Sequence, residues 1–502
     1  MDETFVQKKD DEKRQFYVAR NLFLRLLGGI YFLAFFSLLL QAQGLWGREG
    51  ILPVQDYLKA VQEYFGPDCY LKQLTIFWLN SSDSFLIFAC YLGMAFSVVL
   101  MAGFLPAVCC FFLWGLYLSF IYIGQAFMSF QWDILLVEIG FLSIFFSPWG
   151  LRLSSAKSKL PRVILLLLYI VLFKVMVQSG FVKWMSHDKT WRDLTALTYH
   201  YWTQPIPNPV SWYVHHLPLW LHKFSCFMMF VIEIFVPFWI FMGRRMRLAA
   251  IFPLVGLQGL ILATGNYCFF NLLMIVLCVL LIDDKSFAKI WSVQVMARLK
   301  PERTGLYPPR WSDLIKTWIC FSVAVIVCVL NVNIMVRMMG GSKAVPDILK
   351  RIEKEADPFL LSNGYGLFAV MTTKRPEIII EGSHDGRFWD AYEFKYKPGD
   401  LNRRPPQVAP FQPRIDWQMW FAALSGNVQH SPWFLNMLER LAKNEPTVIK
   451  LLAHNPFEET PPKYLRAKLY YYEFTSPDEK RETGQWWKRT FWKTYLPAVY
   501  LK

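Results

Sequence analysis

Cysteine is scarce where an oxidised domain would use it. The chain holds nine cysteines in 502 residues and none beyond Cys328, so its C-terminal part has no disulfide framework. Charge is sparse as well, at 18% of residues, where soluble proteins carry about a quarter. A Walker loop, a Gly-x-Gly-x-x-Gly dinucleotide fingerprint, a Gly-x-Ser-x-Gly elbow and a Cys-x-x-Cys pair are all missing. Without them the chain offers no self-evident catalytic set and no sign of a cofactor. No internal repeat or low-complexity tract is present either, which sets aside solenoids and low-complexity tails.

Hydrophobic residues make up 54% of the chain, concentrated before about Met338. Apolar runs near 22–43, 84–104, 107–128, 133–149, 161–181, 224–242, 247–264, 267–283 and 313–336 approach the roughly 20 residues that a spanning helix needs. They predict about nine spans. Lys and Arg number 53 against 38 acids. They gather in alternate loops, as at Lys8 to Arg20, Arg152 to Arg162, Arg244 to Arg247 and Lys285 to Arg310, which is a signature of topology and not of nucleic-acid binding. The basic side is expected to be cytoplasmic, with the N-terminus there and the C-terminal domain exoplasmic. The opening MDETFVQKKDDEKRQ is too acidic and too long for a typical cleaved signal, so the first span is expected to remain as an anchor.

The expected organisation is a transmembrane helical domain at 1–339, with long exoplasmic loops at 44–83 and 183–223, and an exoplasmic domain at 345–502. Gly340-Gly341-Ser342 between them is a hinge signal. In the second domain, Gly366 to Met371 and Glu377 to Gly382 alternate like strands, Asp385-Gly386 supplies a turn, and Phe388 to Phe394 reads as a returning strand. Helical periodicity follows in DWQMWFAAL and WFLNMLERLAKN before a strand at Lys468 to Phe474. The expected fold is α+β, an antiparallel β-sandwich with a helical insertion.

Glu138, Lys174 and Glu233 lie inside apolar runs, where unpaired charge is costly. They predict an intramembrane polar network, structural in preference to a proton or substrate pathway. Asp133, beside Trp132, reads as interfacial, Thr264 to Tyr267 as a tight turn, and Asn80-Ser81-Ser82 as a glycosylation sequon. The second loop carries Lys183, His187, His200, His215, His216 and His222, yet their spacing fits no metal-ligand pattern. Its Trp and Tyr favour a membrane interface, and Pro205, Pro207, Pro209 and Pro218 deny it a continuous helix.

The strings LLLQAQGLWGREGILP, DILLVEIGFL, SGFVKWMSHDKTWRDLTALTYHYWTQPIPNP, TGNYCFFNLL, NGYGLF, EIIIEGSHDGRFWDAYEFKYKPGD and PRIDWQMWFAAL resemble the lipase maturation factor family nearly end to end. The resemblance implies a polytopic membrane protein, resident in the endoplasmic reticulum if eukaryotic and in the inner membrane if bacterial. It would help immature secreted proteins, homodimeric lipases among them, to fold and assemble, with membrane lipids around it. Two departures, Trp202 where the family pattern has Glu and Phe411 where it has His, weigh against acid–base or metal chemistry at those positions. Exposed aromatics are the expected client contacts: Trp191, Tyr199, Tyr201 and Trp212 in the loop, with Trp389, Trp417, Trp420, Trp486 and Trp487 in the domain. The rival reading is a membrane-embedded enzyme, architecturally similar to vitamin K-dependent carboxylases, with Lys183, His187 and His200 as its base chemistry.

Overall fold

The computed structural model describes residues 15–153, 160–299, 311–341 and 345–501. The basic clusters at Lys8 to Arg14, at Lys157 and Lys159, and at Lys300 to Arg310 lie outside the described residues, as does Ser342 of the Gly-Gly-Ser signal.

Every apolar run folds as helix, because a segment with no water at hand must satisfy its own backbone. These are α1 (Tyr17–Leu39), α2 (Asp83–Ala102), α3 (Pro106–Ile123), α4 (Gln131–Phe146) and α5 (Arg162–Met185). After them come α6 (Leu219–Phe230), α7 (Arg244–Thr264), α8 (Phe270–Val279) and α9 (Trp311–Gly340). A π turn at Val231–Phe235 and a 3-10 turn at Val236–Phe241 continue α6.

The expected count of nine spans is corrected to seven helices long and apolar enough to cross a membrane, among the described residues. α4, with 16 residues, and α8, with 10, fall short. Both nevertheless run between the same two ends of the bundle. Beyond α4, Leu151 C=O accepts from Leu105 N–H at 2.9 Å and Leu153 N–H donates to Gly103 C=O at 2.9 Å, in the α2–α3 turn. Beyond α8, Asp283 pairs with Arg244, and Asp284 N–H donates to Gln15 C=O at 2.9 Å. Arg25 in the first part of α1 donates to Met101 C=O at the end of α2, so Arg152 and Arg244 share one end. Both short helices are largely buried by their neighbours, and a helix enclosed by protein need not match the thickness of lipid.

The C-terminal part forms β1 (Arg375–Ser383), β2 (Asp390–Ala391), β3 (Glu393–Phe394), α10 (Arg414–Ser425), α11 (Pro432–Ala442), β4 (Leu452–His454), β5 (Tyr464–Phe474) and β6 (Trp487–Tyr500). The main sheet is antiparallel in the order β2-β1-β5-β6, with a separate β3-β4 ribbon. The expected hairpin is present in short form: Gly386 takes φ +75° in the turn, and Glu381 faces Ala391. β1 is buried almost throughout and packs against α10. A helix thus covers the central strand where the sequence suggested a second full sheet.

Gly366 to Met371 is not a strand, contrary to expectation. Gln131 of α4 and Asp188 and Trp191 of the second loop claim the Gly366 N–H, the Met371 N–H and the Phe368 C=O, so these are not available to a sheet ladder.

Candidate functional site

The segment from Asp357 to Met371 enters the bundle as a plug. Two turns inside α4, Glu138 accepts from Lys174 Nζ at 2.6 Å, from the Tyr365 hydroxyl at 2.6 Å and from Asn363 N–H at 3.1 Å. Lys174 also donates to Ser362 Oγ at 3.1 Å, and Ser362 in turn donates to Asn331 Oδ1 of α9 at 2.9 Å. Tyr365 N–H donates to Gln178 Oε1 at 2.8 Å, while Met371 N–H donates to Asp188 Oδ2 at 2.6 Å. Irregular backbone is tolerated at such depth because protein, not lipid, surrounds it. Lys174 therefore faces Glu138 and not lipid, but the pair is closed by the C-terminal segment.

Glu233 takes no part in that pair. Both its oxygens accept from Lys183 Nζ, at 2.9 and 2.8 Å. The expected single network is corrected to two separate pairs. Glu233 sits in the π turn, whose irregular winding places it against α5. Gly180 permits the approach, since a Cβ there would lie 2.6 Å from Ile234 Cγ1.

A third pair escaped sequence reasoning. Asp133, in the first turn of α4, is fully buried in protein and accepts a bidentate bond from Arg414 at 2.9 and 2.9 Å. Arg414 also donates to Phe127 C=O at 2.6 Å. Nearby, Gln41 Nε2 donates to Gln412 C=O at 2.7 Å and Arg414 N–H donates to Gln41 Oε1 at 2.9 Å, so α1 joins the same seam. The turn at Thr264 to Tyr267 is likewise a clamp. Asn266 accepts from the N–H groups of Val408 and Ala409 at 2.8 and 2.9 Å and donates to Pro406 C=O at 2.9 Å. Buried Arg375 donates to Trp202 C=O at 3.0 Å and Pro205 C=O at 2.7 Å in the second loop, and it pairs with Glu377 at 2.7 Å. Burial lowers the Arg375 pKa, and Glu377 acts against that shift. The usable signal lay in the resembling strings: DILLVEIGFL, TGNYCFF, NGYGLF and PRIDW supply Asp133 and Glu138, Asn266, Asn363 and Tyr365, and Arg414.

The proposed base set does not converge. Lys183 is committed to Glu233, and His187 is exposed beside Arg192. His200 is packed between Tyr267 and Phe368, where burial and then the charge of Lys183 lower its pKa to about 4. His215 is lowered to about 4 as well, by burial and then by His216 and His222. Such imidazoles stay neutral near pH 7 and make weak bases. Among the described residues, no group of three or more His, Cys, Asp or Glu could hold a metal ion.

Exposure also fails for most of the aromatic candidates. Trp191, Tyr201, Trp212, Trp417, Trp420 and Trp487 are buried, and Tyr199 packs against the main core. Each serves packing or donates inward: Trp191 Nε1 bonds Phe368 C=O at 3.0 Å, and Trp420 Nε1 bonds Thr203 C=O at 2.9 Å. Trp389 and Trp486 remain half-buried, under the cations of Arg466 and Lys480. Phe411 packs against Tyr396, with ring centroids 5.7 Å apart.

A helical bundle whose buried charges are completed by residues of an appended α+β domain defines an integral membrane protein with a built-in docked domain. The chain belongs to the lipase maturation factor family: the family's transmembrane domain matches residues 18–289 and its C-terminal domain residues 361–497. It is 35% identical to lipase maturation factor 2 of Xenopus tropicalis and 34% to that of Homo sapiens, each over 96% of this chain and 82% of the relative. It is 33% identical to lipase maturation factor 1 of Mus musculus over 97% of this chain and 88% of the relative. No solved structure matches.

Proposed function

We propose that this chain assists the folding, assembly and secretion of secreted proteins, with homodimeric lipases as clients and no reaction of its own. The C-terminal domain works from the exoplasmic side, the N-terminus is cytoplasmic, and the membrane is that of the endoplasmic reticulum in a eukaryote or the inner membrane in a bacterium. Family membership supports the client class. The observation that carries the mode of action is the fastening of the domain to the bundle through Arg414–Asp133 and the plug at Glu138. A domain fixed at one end of the bundle presents a constant surface to a chain emerging beside it, and ordering that surface beforehand lowers the entropy lost on binding. The enzyme reading has no support in the arrangement of Lys183, His187 and His200.

The test is expression of the full chain with a homodimeric secreted lipase in cells that lack their own maturation factors. Secreted activity per mass of lipase, and the dimer fraction by sedimentation, should both rise with the chain present. Unchanged activity and dimer fraction, with the chain intact in the membrane, would overturn the reading.

A further inference from the structure

β6 stands at one side of the main sheet and, among the described residues, pairs only with β5. An edge strand offers a row of unpaired N–H and C=O groups, which proteins blunt by shortness, bulges, charge or proline. β6 is 14 residues long. Its register with β5 is unshifted from Trp487 to Phe491, and the irregularities and Pro497 come only further along. Lys488 through Thr494 are exposed without a break, and Phe491 is 54% exposed. An edge built only to repel other chains has no reason to display such aromatic surface.

Its charge has one sign. β6 carries Lys488, Arg489 and Lys493 and no acid. Lys488 pairs with Glu479 at 3.2 Å and Arg489 donates to the Tyr472 hydroxyl at 3.1 Å over the Tyr470 ring, whereas Lys493 only lies over the Trp492 ring. We propose that β6 takes an extended segment of a partner protein as an added strand, one that alternates apolar with acidic side chains. The partner is the immature client, so the inference rests on the function proposed above. Main-chain bonds supply affinity along the edge, and alternate side chains supply selectivity. A second copy of this chain is disfavoured there, because antiparallel β6–β6 pairing centred on Phe491 sets Arg489 against Lys493.

The test uses the full chain in detergent and a synthetic ten-residue peptide alternating Glu and Val, with a Lys–Val counterpart. The Glu–Val peptide is expected to bind and to slow hydrogen exchange at β6 amides, and the Lys–Val peptide to do neither. Lys493 is exposed and makes no ion pair among the described residues, so the variant Lys493→Glu should melt as the parent does and bind the Glu–Val peptide about fivefold more weakly. Reduced, unfolded lipase should lose affinity for that variant in the same way. Protection elsewhere than β6, binding unchanged in the variant, or sedimentation showing a dimer that the variant abolishes would overturn the proposal. Normal lipase maturation by the variant would refute the edge and leave the maturation role standing. Acid-selective binding at β6 by a chain that matures no lipase would refute the role and leave the edge standing.

Discussion

Lys183 with Glu233 and Arg414 with Asp133 are both buried ion pairs, but they answer to different parts of the molecule. The first is closed within the membrane half, between α5 and the π turn after α6. The second is closed only when the C-terminal domain is in place. Glu138 and Lys174 lie between these cases, adjacent within the bundle yet completed by Ser362, Asn363 and Tyr365. The bundle was therefore not built to stand by itself: without the domain, Asp133 would lose its guanidinium and Glu138 its hydroxyl and amide donors. The domain is structurally part of the membrane protein, despite its soluble-looking sequence.

The sharpest way to break this comparison is Arg414→Ala. Both side chains of that pair are 0% exposed, so an uncompensated buried carboxylate should cost about 3–5 kcal/mol. Unfolding in detergent should show the loss, and limited proteolysis should separate the halves. A variant as stable as the parent would mean that the domain is held by other contacts. A smaller effect is expected from Lys183→Met, about 3 kcal/mol at most, since that pair retains 8% and 7% exposure. Adding Glu233→Leu should recover most of it, because replacing both partners removes the stranded charge. A double variant that folds fully yet matures no lipase would return Lys183 to a chemical role.

The smallest effect sharpens the loop's part. His200 titrates near 4 in the fold, against 6.5 when unperturbed. The unfolded chain then binds more protons as pH falls, so its contribution to stability is complete above about 6.5 and is lost progressively towards 4. Stability measured from pH 7 to 5 should therefore fall less steeply in His200→Asn than in the parent. His215 shifts in the same direction and should leave a residual slope.

Local signals were legible where the cause was local. Asp385-Gly386 marked the hairpin because the turn there requires positive φ, which Gly386 adopts. The alternation at Gly366 to Met371 misled, because strand periodicity cannot reveal that Gln131 and Asp188 will claim the Gly366 and Met371 amides. The aromatic candidates misled for a related reason: Trp191 in the loop and Trp420 in the domain look like contact residues until the burial of each ring and its N–H partner are known.

The length and hydrophobicity of each apolar run determined that it would be helix, and their sum determined a polytopic membrane protein, because backbone in lipid has no other way to satisfy its hydrogen bonds. Which charges meet was decided only by the tertiary structure. Glu233 lies 50 residues from Lys183 and Arg414 lies 281 from Asp133, and nothing in the sequence near either member names its partner. A buried charge is indifferent to chain distance and settles on whichever opposite charge the packing of helices and domain brings within bonding reach.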